Sequence, residues 1–348
     1  MIYIKNISQI SIQKPLSEEG FENPEFPTAT FSQGQDPDFK PFVAPAASRR
    51  MGRLFKRAIA TSMCALDGFP VEKLEGIITG TGLGCIENTE KFLVSMIEND
   101  EKFLQPTHFM QSTHNTIGSQ IALMLGCRGY NNTYSHRGTS FDSSLMDAYL
   151  QMNLDFMDNV LVGSHDEMTP NYFTLLGKSG YWKEGNISPE ILKEGSTSGS
   201  ISGICSLSML LSKDPGNKYL CEVADFAMLY NPDTGQIAEA AKKMLRKAGI
   251  NSFDAVVAGI SGDAENDNVY KDCFSPAYGN APVVWYKHLF GESFSASAFG
   301  VYVGAICLTK GKIPAHLIYE GECANQPHFI LIHNHFQNKD HSLTLLKC

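Results

Sequence analysis

Gly129 to Ala148 reads GYNNTYSHRGTSFDSSLMDA, and its two halves follow different periods. The first is polar and β-branched, the pattern of an extended segment. The second places Phe141, Leu145 and Ala148 on one helical face, with Ser140 positioned to cap it. The stretch therefore predicts a strand that turns sharply into a helix. Such turns hold a thiol or hydroxyl at a helix N-terminus, where the dipole lowers a thiol's pKa and backbone N–H groups stabilise an oxyanion. Here the turn reads His136, Arg137, Gly138, Thr139, an elbow without a nucleophile.

On either side the chain alternates strands and helices. A β segment, Ile2 to Ile12, leads into a Pro/Gly/Asp-rich stretch from Lys14 to Ala47, read as an ordered surface loop or an interface arm. A basic amphipathic helix is expected over Arg49–Leu66. GIITGTGLGC, Gly76–Cys85, reads as a buried strand entering a glycine turn, then a helix through Phe92, Leu93 and Ile97. GTGLG lacks the spacing and the acidic partner of a dinucleotide site, so a tight turn is the plainer reading. A helix over Asn115–Leu125 precedes the elbow and a buried strand, Asn159–Met168, follows it. A strand at Tyr219–Tyr230, an amphipathic helix at Ile237–Gly249 and a strand with a polar loop at Phe253–Asp267 repeat the pattern. Two stacked α/β layers related by internal duplication account for it.

The 348 residues, 43% hydrophobic and 19% charged, suffice for a large core. A net charge of −9 argues against nucleic acid. The cluster Arg49, Arg50, Arg53, Lys56 and Arg57 fits an acidic partner or, more plainly, a solvated helix face. No apolar run approaches the ~20 residues of a membrane span, and MIYIKNISQI lacks the features of a signal peptide. Nine cysteines without a C-x-x-C indicate neither disulfides nor zinc, and a cytoplasmic protein is expected. His333 and His335 share a strand face, but no third ligand completes a metal site. Asp263, Glu265 and Asp267 lack the calcium-loop pattern. Neither cofactor nor metal is expected.

From Asn115 through Leu145 the chain resembles the N-terminal half of the β-ketoacyl-acyl-carrier-protein synthases, condensing enzymes of the thiolase fold. The resemblance implies an α/β thiolase fold with a duplicated five-layered α-β-α-β-α architecture, divided into residues 1–213, including the loop-rich arm at about 14–47, and 214–348. In that family a Cys stands where Gly138 stands here, and Ser140 matches the serine two residues on. KHLFGESFSASAFG, Lys287–Gly300, looks like the family's lysine motif with Lys287 retained and Glu292 in place of the catalytic His. AGISGDAEND is the best match to the H-G-T loop, with Gly259 or Ile260 at the first His. The terminal G-F-G-G loop is absent.

Without a thiolate and two imidazoles, decarboxylative condensation has neither an acyl carrier nor an oxyanion stabiliser. Glu292 would add negative charge beside a developing negative charge. The pattern looks like the chain-length-factor subunit, a non-catalytic paralogue paired with an active synthase across the strand Asn131–Ser135. The segments Pro106–Ala122 and Arg49–Lys56 are similar to synthase-like proteins of bacterial aryl-polyene and flexirubin-type pigment pathways. An active ketosynthase and an acyl carrier protein are the implied partners, with a homodimer as an alternative. Phe109, Met110, His114, Phe141, Met146 and Tyr149 are expected to line or cap an acyl tunnel, or else to be core. Tyr134 and His136 are expected to face the partner's site or to form a buried hydrogen-bonded pair. A second reading is an acyltransferase or hydrolase using Ser140 or Ser135, with His136 or His114 as base and Ser143 nearby.

Overall fold

Short apolar runs such as GIITG and NVLVGSHD are buried almost throughout, as central parallel strands require. In the computed structural model, which describes residues 1–49, 51–323 and 326–348, they pair within an eleven-stranded sheet. Arg50 of the basic cluster lies outside the described residues. In chain order the strands are β1 (Tyr3–Ile10), β2 (Gly76–Gly80), β3 (Tyr130–Tyr134), β4 (Asn159–Asp166), β5 (Cys205–Ser212) and β6 (Cys221–Tyr230). They continue with β7 (Ala255–Ala258), β8 (Val283–Trp285), β9 (Ile318–Glu320), β10 (Phe329–Phe336) and β11 (Asp340–Lys347).

The first half is ordered β3-β2-β4-β5-β1, with β2 parallel to β3 and β4, and β5 antiparallel to β4 and β1. The second is ordered β8-β7-β10-β11-β6 with the same directions. The duplicated pattern thus appears strand for strand. The halves join where β1 meets β6, at Tyr3↔Glu222 and Ile4↔Cys221, and β9 adds an antiparallel edge beyond β8.

Helices Ser140–Asn153 and Ser297–Lys310 touch each other between the inner faces of the two halves. Arg53–Ala65 and Thr116–Leu125 cover the outer face of the first half, and Thr234–Ala248 that of the second, giving the α-β-α-β-α thiolase fold. The helix from Ser297 is buried at every position to Leu308, which its run of Ala, Gly, Val and Phe allows. Its residues share one central core with Phe141, Leu145, Val162, Val257 and Ile332.

Several expectations change. Ser140 is the first helical residue and not the cap, a position held by Thr139. The basic helix starts at Arg53, because a one-turn helix, Pro45–Ser48, precedes it and Gly52 is extended. Arg57 is buried and bonded to Asp36 at 2.5 Å, with Arg53 3.5 Å from the same carboxylate, so much of that cluster's charge is already spent. Strand β5, CSLSMLLS, had no distinct sequence signal, since Ser206 and Ser208 interrupt its apolar run. Both serines are buried against Thr61 or Ser62 hydroxyls. The loop-rich arm lies against its own chain: the Thr30 hydroxyl donates to the Lys183 carbonyl at 3.0 Å, and the Ser202 N–H to the Thr30 carbonyl at 2.7 Å.

Candidate functional site

Strand β3 ends at Tyr134, and the chain reverses through a tight turn, Arg137–Thr139, into the helix from Ser140. Arg137 adopts φ +51°, a left-handed conformation uncommon for a side chain with Cβ. The Ser140 hydroxyl accepts the His136 N–H at 2.9 Å and lies 2.7 Å from the Arg137 carbonyl. Gly138 is closely covered, because a Cβ added there would lie 2.2 Å from the ring of Phe336. The space a larger side chain at 138 would need is filled by an aromatic ring from the end of β10.

The second position behaves alike. Gly259 follows β7, and a Cβ there would lie 2.5 Å from the Tyr270 hydroxyl and 2.6 Å from Asn334 Oδ1. The loop beyond is braced by carboxylates. Asp267 accepts the N–H groups of Ser261 and Gly262, and Asp263 those of Gly199 and Asn266. Burial nonetheless pushes the Asp267 carboxyl up to about 6. These bonds tie the Asp263 and Asp267 carboxylates to backbone groups of their own chain.

At the third position Lys287 is buried and its Nζ donates to Glu292 Oε2 at 2.6 Å. The other Glu292 oxygen accepts the Ser293 N–H. The expected added negative charge is therefore corrected: the carboxylate is paired with Lys287, and the imidazole that does line the site, His335, is bonded through Nε2 to the Asn266 carbonyl at 2.8 Å. Gly138, Gly259, Lys287 and Glu292 all line one cleft of about 260 Å³, walled by Tyr181, Trp182, Phe294 and Phe336.

The remaining candidates lie elsewhere. Phe141 is fully buried in the central core and lines no part of this cleft. Phe109, Met110 and His114 are exposed, and Met146 and Tyr149 are half-buried, with the Tyr149 hydroxyl 3.2 Å from Asp225 Oδ1. Tyr134 is half-buried, its hydroxyl pushed up to about 12 chiefly by burial. The expected buried Tyr134–His136 pair is not formed: their rings meet edge-on at 6.1 Å, but His136 is exposed and its Nδ1 lies 3.1 Å from Ser143 Oγ. Ser140 is buried and spent on backbone groups, so it is no accessible nucleophile, and Ser135 is exposed at the strand end.

Three features escaped the sequence reading. Phe336, Tyr270 and Asn334 crowd the space beside Gly138 and Gly259, and no local motif marks them. Asp166, at the end of β4, accepts the N–H groups of Gly82 and Leu83 and the hydroxyls of Thr81 and Ser295. The GTGLG turn thus wraps a carboxylate of its own chain, the signal being glycines opposite a polar strand end. His333 bonds Tyr278 at 2.5 Å and His341 at 3.0 Å, while His335 Nε2 meets the Asn266 carbonyl at 2.8 Å. Among the described residues no group of His, Cys, Asp or Glu is arranged to hold a metal.

Residues 24–184 match the family model of the β-ketoacyl synthase N-terminal domain. No curated protein matches the sequence. Among solved structures, the ishigamide ketosynthase/chain length factor is 15% identical with a TM-score of 0.83, the match covering 99% of this chain and 98% of that one. A β-ketoacyl synthase from Burkholderia phymatum is 14% identical with a TM-score of 0.78 over 99% and 98% of the two chains. A ketosynthase in complex with its chain length factor from Xenorhabdus doucetiae is 16% identical with a TM-score of 0.79 over 99% and 97%. At such identities the likeness is one of fold.

Proposed function

We propose that this chain, which resembles the β-ketoacyl synthases in sequence over residues 24–184 and in fold throughout, is their non-catalytic ketosynthase-like kind, a chain-length factor paired with an active synthase. On this reading it acts with an acyl carrier protein in the cytoplasm, in polyene or polyketide assembly of the aryl-polyene or flexirubin type. Residues 1–213 and 214–348 are then its two ketosynthase-like halves.

The observation that carries the reading is the close covering of the two glycines that line the cleft. Gly138 is covered by Phe336, Gly259 by Tyr270 and Asn334, and Glu292 is neutralised by Lys287. A site that had merely lost a nucleophile would leave a hole; at Gly138 and Gly259 packing takes its place, and no thiol lines the cleft to hold an acyl group. The pairing half of the reading is supported by β3, an edge strand bonded only to β2. Most large apolar side chains left exposed among the described residues fall between Leu93 and Phe156, the segment that surrounds this edge.

The test is to co-express the chain with the synthase encoded nearest to it, purify through a tag on this chain alone, and assay elongation on acyl carrier protein. Activity that needs both chains and is abolished by changing the partner's cysteine is expected. Activity in this chain alone would overturn the reading. The serine-hydrolase alternative predicts labelling of an elbow serine by a fluorophosphonate. A homodimer predicts a stable, soluble dimer of the chain made alone.

A further inference from the structure

Strand register brings together two cysteines that lie far apart in the chain. Along the β6–β11 ladder Leu346 faces Val223 and Lys347 faces Glu222, so one step further Cys348 stands opposite Cys221. On its other side Cys348 still follows the sheet, its N–H donating to the His328 carbonyl at 2.9 Å. That bond turns the Cys348 backbone away from β6, which makes Cys221 and Cys348 a non-hydrogen-bonded pair. Cα atoms in such a pair stand about 4.5 Å apart, within the roughly 4.4–6.8 Å that a disulfide spans. Leu346, Val223 and Cys221 all sit in the central core, so strand alternation sends the Cys348 side chain off that same face. Of the nine cysteines, all of them among the described residues, only Cys348 is exposed. Cys221 also faces Ile4 of β1, in the two-pair seam that joins the halves.

We propose that Cys221 and Cys348 are a reversible thiol–disulfide site, closed by small-molecule disulfides of the glutathione class. The Cys348 thiol loses its proton, and the thiolate attacks one sulfur of oxidised glutathione, breaking its S–S bond and releasing one glutathione thiolate. Cys221 then gives up its proton and attacks the Cys348 sulfur of the mixed disulfide, which releases the second glutathione. Two cysteine thiols are oxidised by two electrons, the glutathione disulfide is reduced to two thiols, and both protons pass to them. Burial fixes the order, because it holds the Cys221 thiol protonated far above its ordinary range, whereas Cys348 meets solvent. In a reducing compartment such a bond forms only under oxidising load, as redox-sensing pairs do. Closure ties β11 to the seam between the halves and bridges a long loop, which removes freedom from the unfolded chain. Oxidation therefore stiffens the junction of the two halves, and excess reduced glutathione releases it. Neither cysteine lines the cleft at Gly138, so the site stands apart from the functional reading.

The experiment takes the full chain, reduced, freed of reductant and then held in oxidised glutathione. Intact-mass and peptide mass spectrometry are expected to show a species lighter by two hydrogens, with the Cys221 and Cys348 peptides joined. Its melting temperature is expected to exceed that of the reduced chain by several degrees, and dithiothreitol to reverse both changes. Cys348→Ser should show neither change, and Cys221→Ser should stop at a glutathione adduct on Cys348. Because Cys348 is exposed, its variant keeps the test readable if Cys221→Ser folds poorly. A wild-type chain that stops at the adduct overturns the site, since the thiols are then too far apart or too shielded to close. A bridge mapped to other cysteines, such as Cys307 with Cys323, overturns it as well, and so does a wild-type chain left unmodified.

Discussion

At the residue scale, Gly138 and Phe336 are mutually exclusive with a larger residue at 138 as the rings now stand. Gly138→Cys should therefore restore no malonyl-dependent condensation, and overpacking should lower stability by about 1–3 kcal/mol. Thermal melting checks the second part, and Gly138→Cys/Phe336→Ala should recover part of the loss. Measurable elongation by the single variant would show that the other two positions are misplaced. Phe141 makes a separate case. Its ring is wholly inside the central core, so Phe141→Ala should cost about 3–5 kcal/mol, and loss of folded protein should precede any change in product length. A stable variant whose partner makes longer products would return Phe141 to the tunnel.

At the element scale, the β10–β11 hairpin carries His333, His335 and His341 on one face, with ring centroids 5.3 Å apart along the ladder. Burial holds His335 at about 3 and His341 at about 4, with His333 lowered as well. Folded imidazoles thus refuse protons that unfolded ones accept near 6.5. The contribution of these three histidines to stability is complete above that value and is lost as pH drops toward 4. Melting temperatures measured from pH 7.5 to 4.5 should fall more steeply over the lower half of that range, by several degrees, in the wild type than in a His341→Gln variant; profiles of equal slope in the two refute the assignment. The hairpin also shows what a sequence conceals. The shared face of His333 and His335 followed from strand alternation alone, but their partners, Tyr278 and His341, are fixed by register and by a distant loop. The elbow, the glycine turn and the lysine motif were legible because each is a local pattern. Phe336, Tyr270 and Asn334 were not, because they act by filling space next to residues remote in sequence. Strand β5 was missed because its serines answer to hydroxyls on another helix.

At the scale of the whole molecule, the repeated strand order leaves one long exposed edge in the first half, at β3. Tyr130, Asn132 and Tyr134 point their backbone groups at β2, as the bonds Tyr130 N–H to Glu75 and Thr81 N–H to Tyr134 require, which turns those of Asn131 and Thr133 outward. Thr133 N–H meets only the neighbouring Asn132 side chain, at 2.9 Å. Thr133→Pro should leave the isolated chain folded and abolish co-purification of a synthase that pairs across this edge. Retained complex, with circular dichroism unchanged, would move the interface elsewhere. On the proposed function, the covering of the two glycines carries a historical consequence as well. Once Phe336, Tyr270 and Asn334 had settled against the two glycines, a single codon change back to cysteine or histidine would first yield a worse-folded protein with no activity to compensate. Catalysis could return only through several concerted changes, so the loss works as a ratchet, and descendants of such a chain are held to whatever role their surfaces, and not their chemistry, can serve.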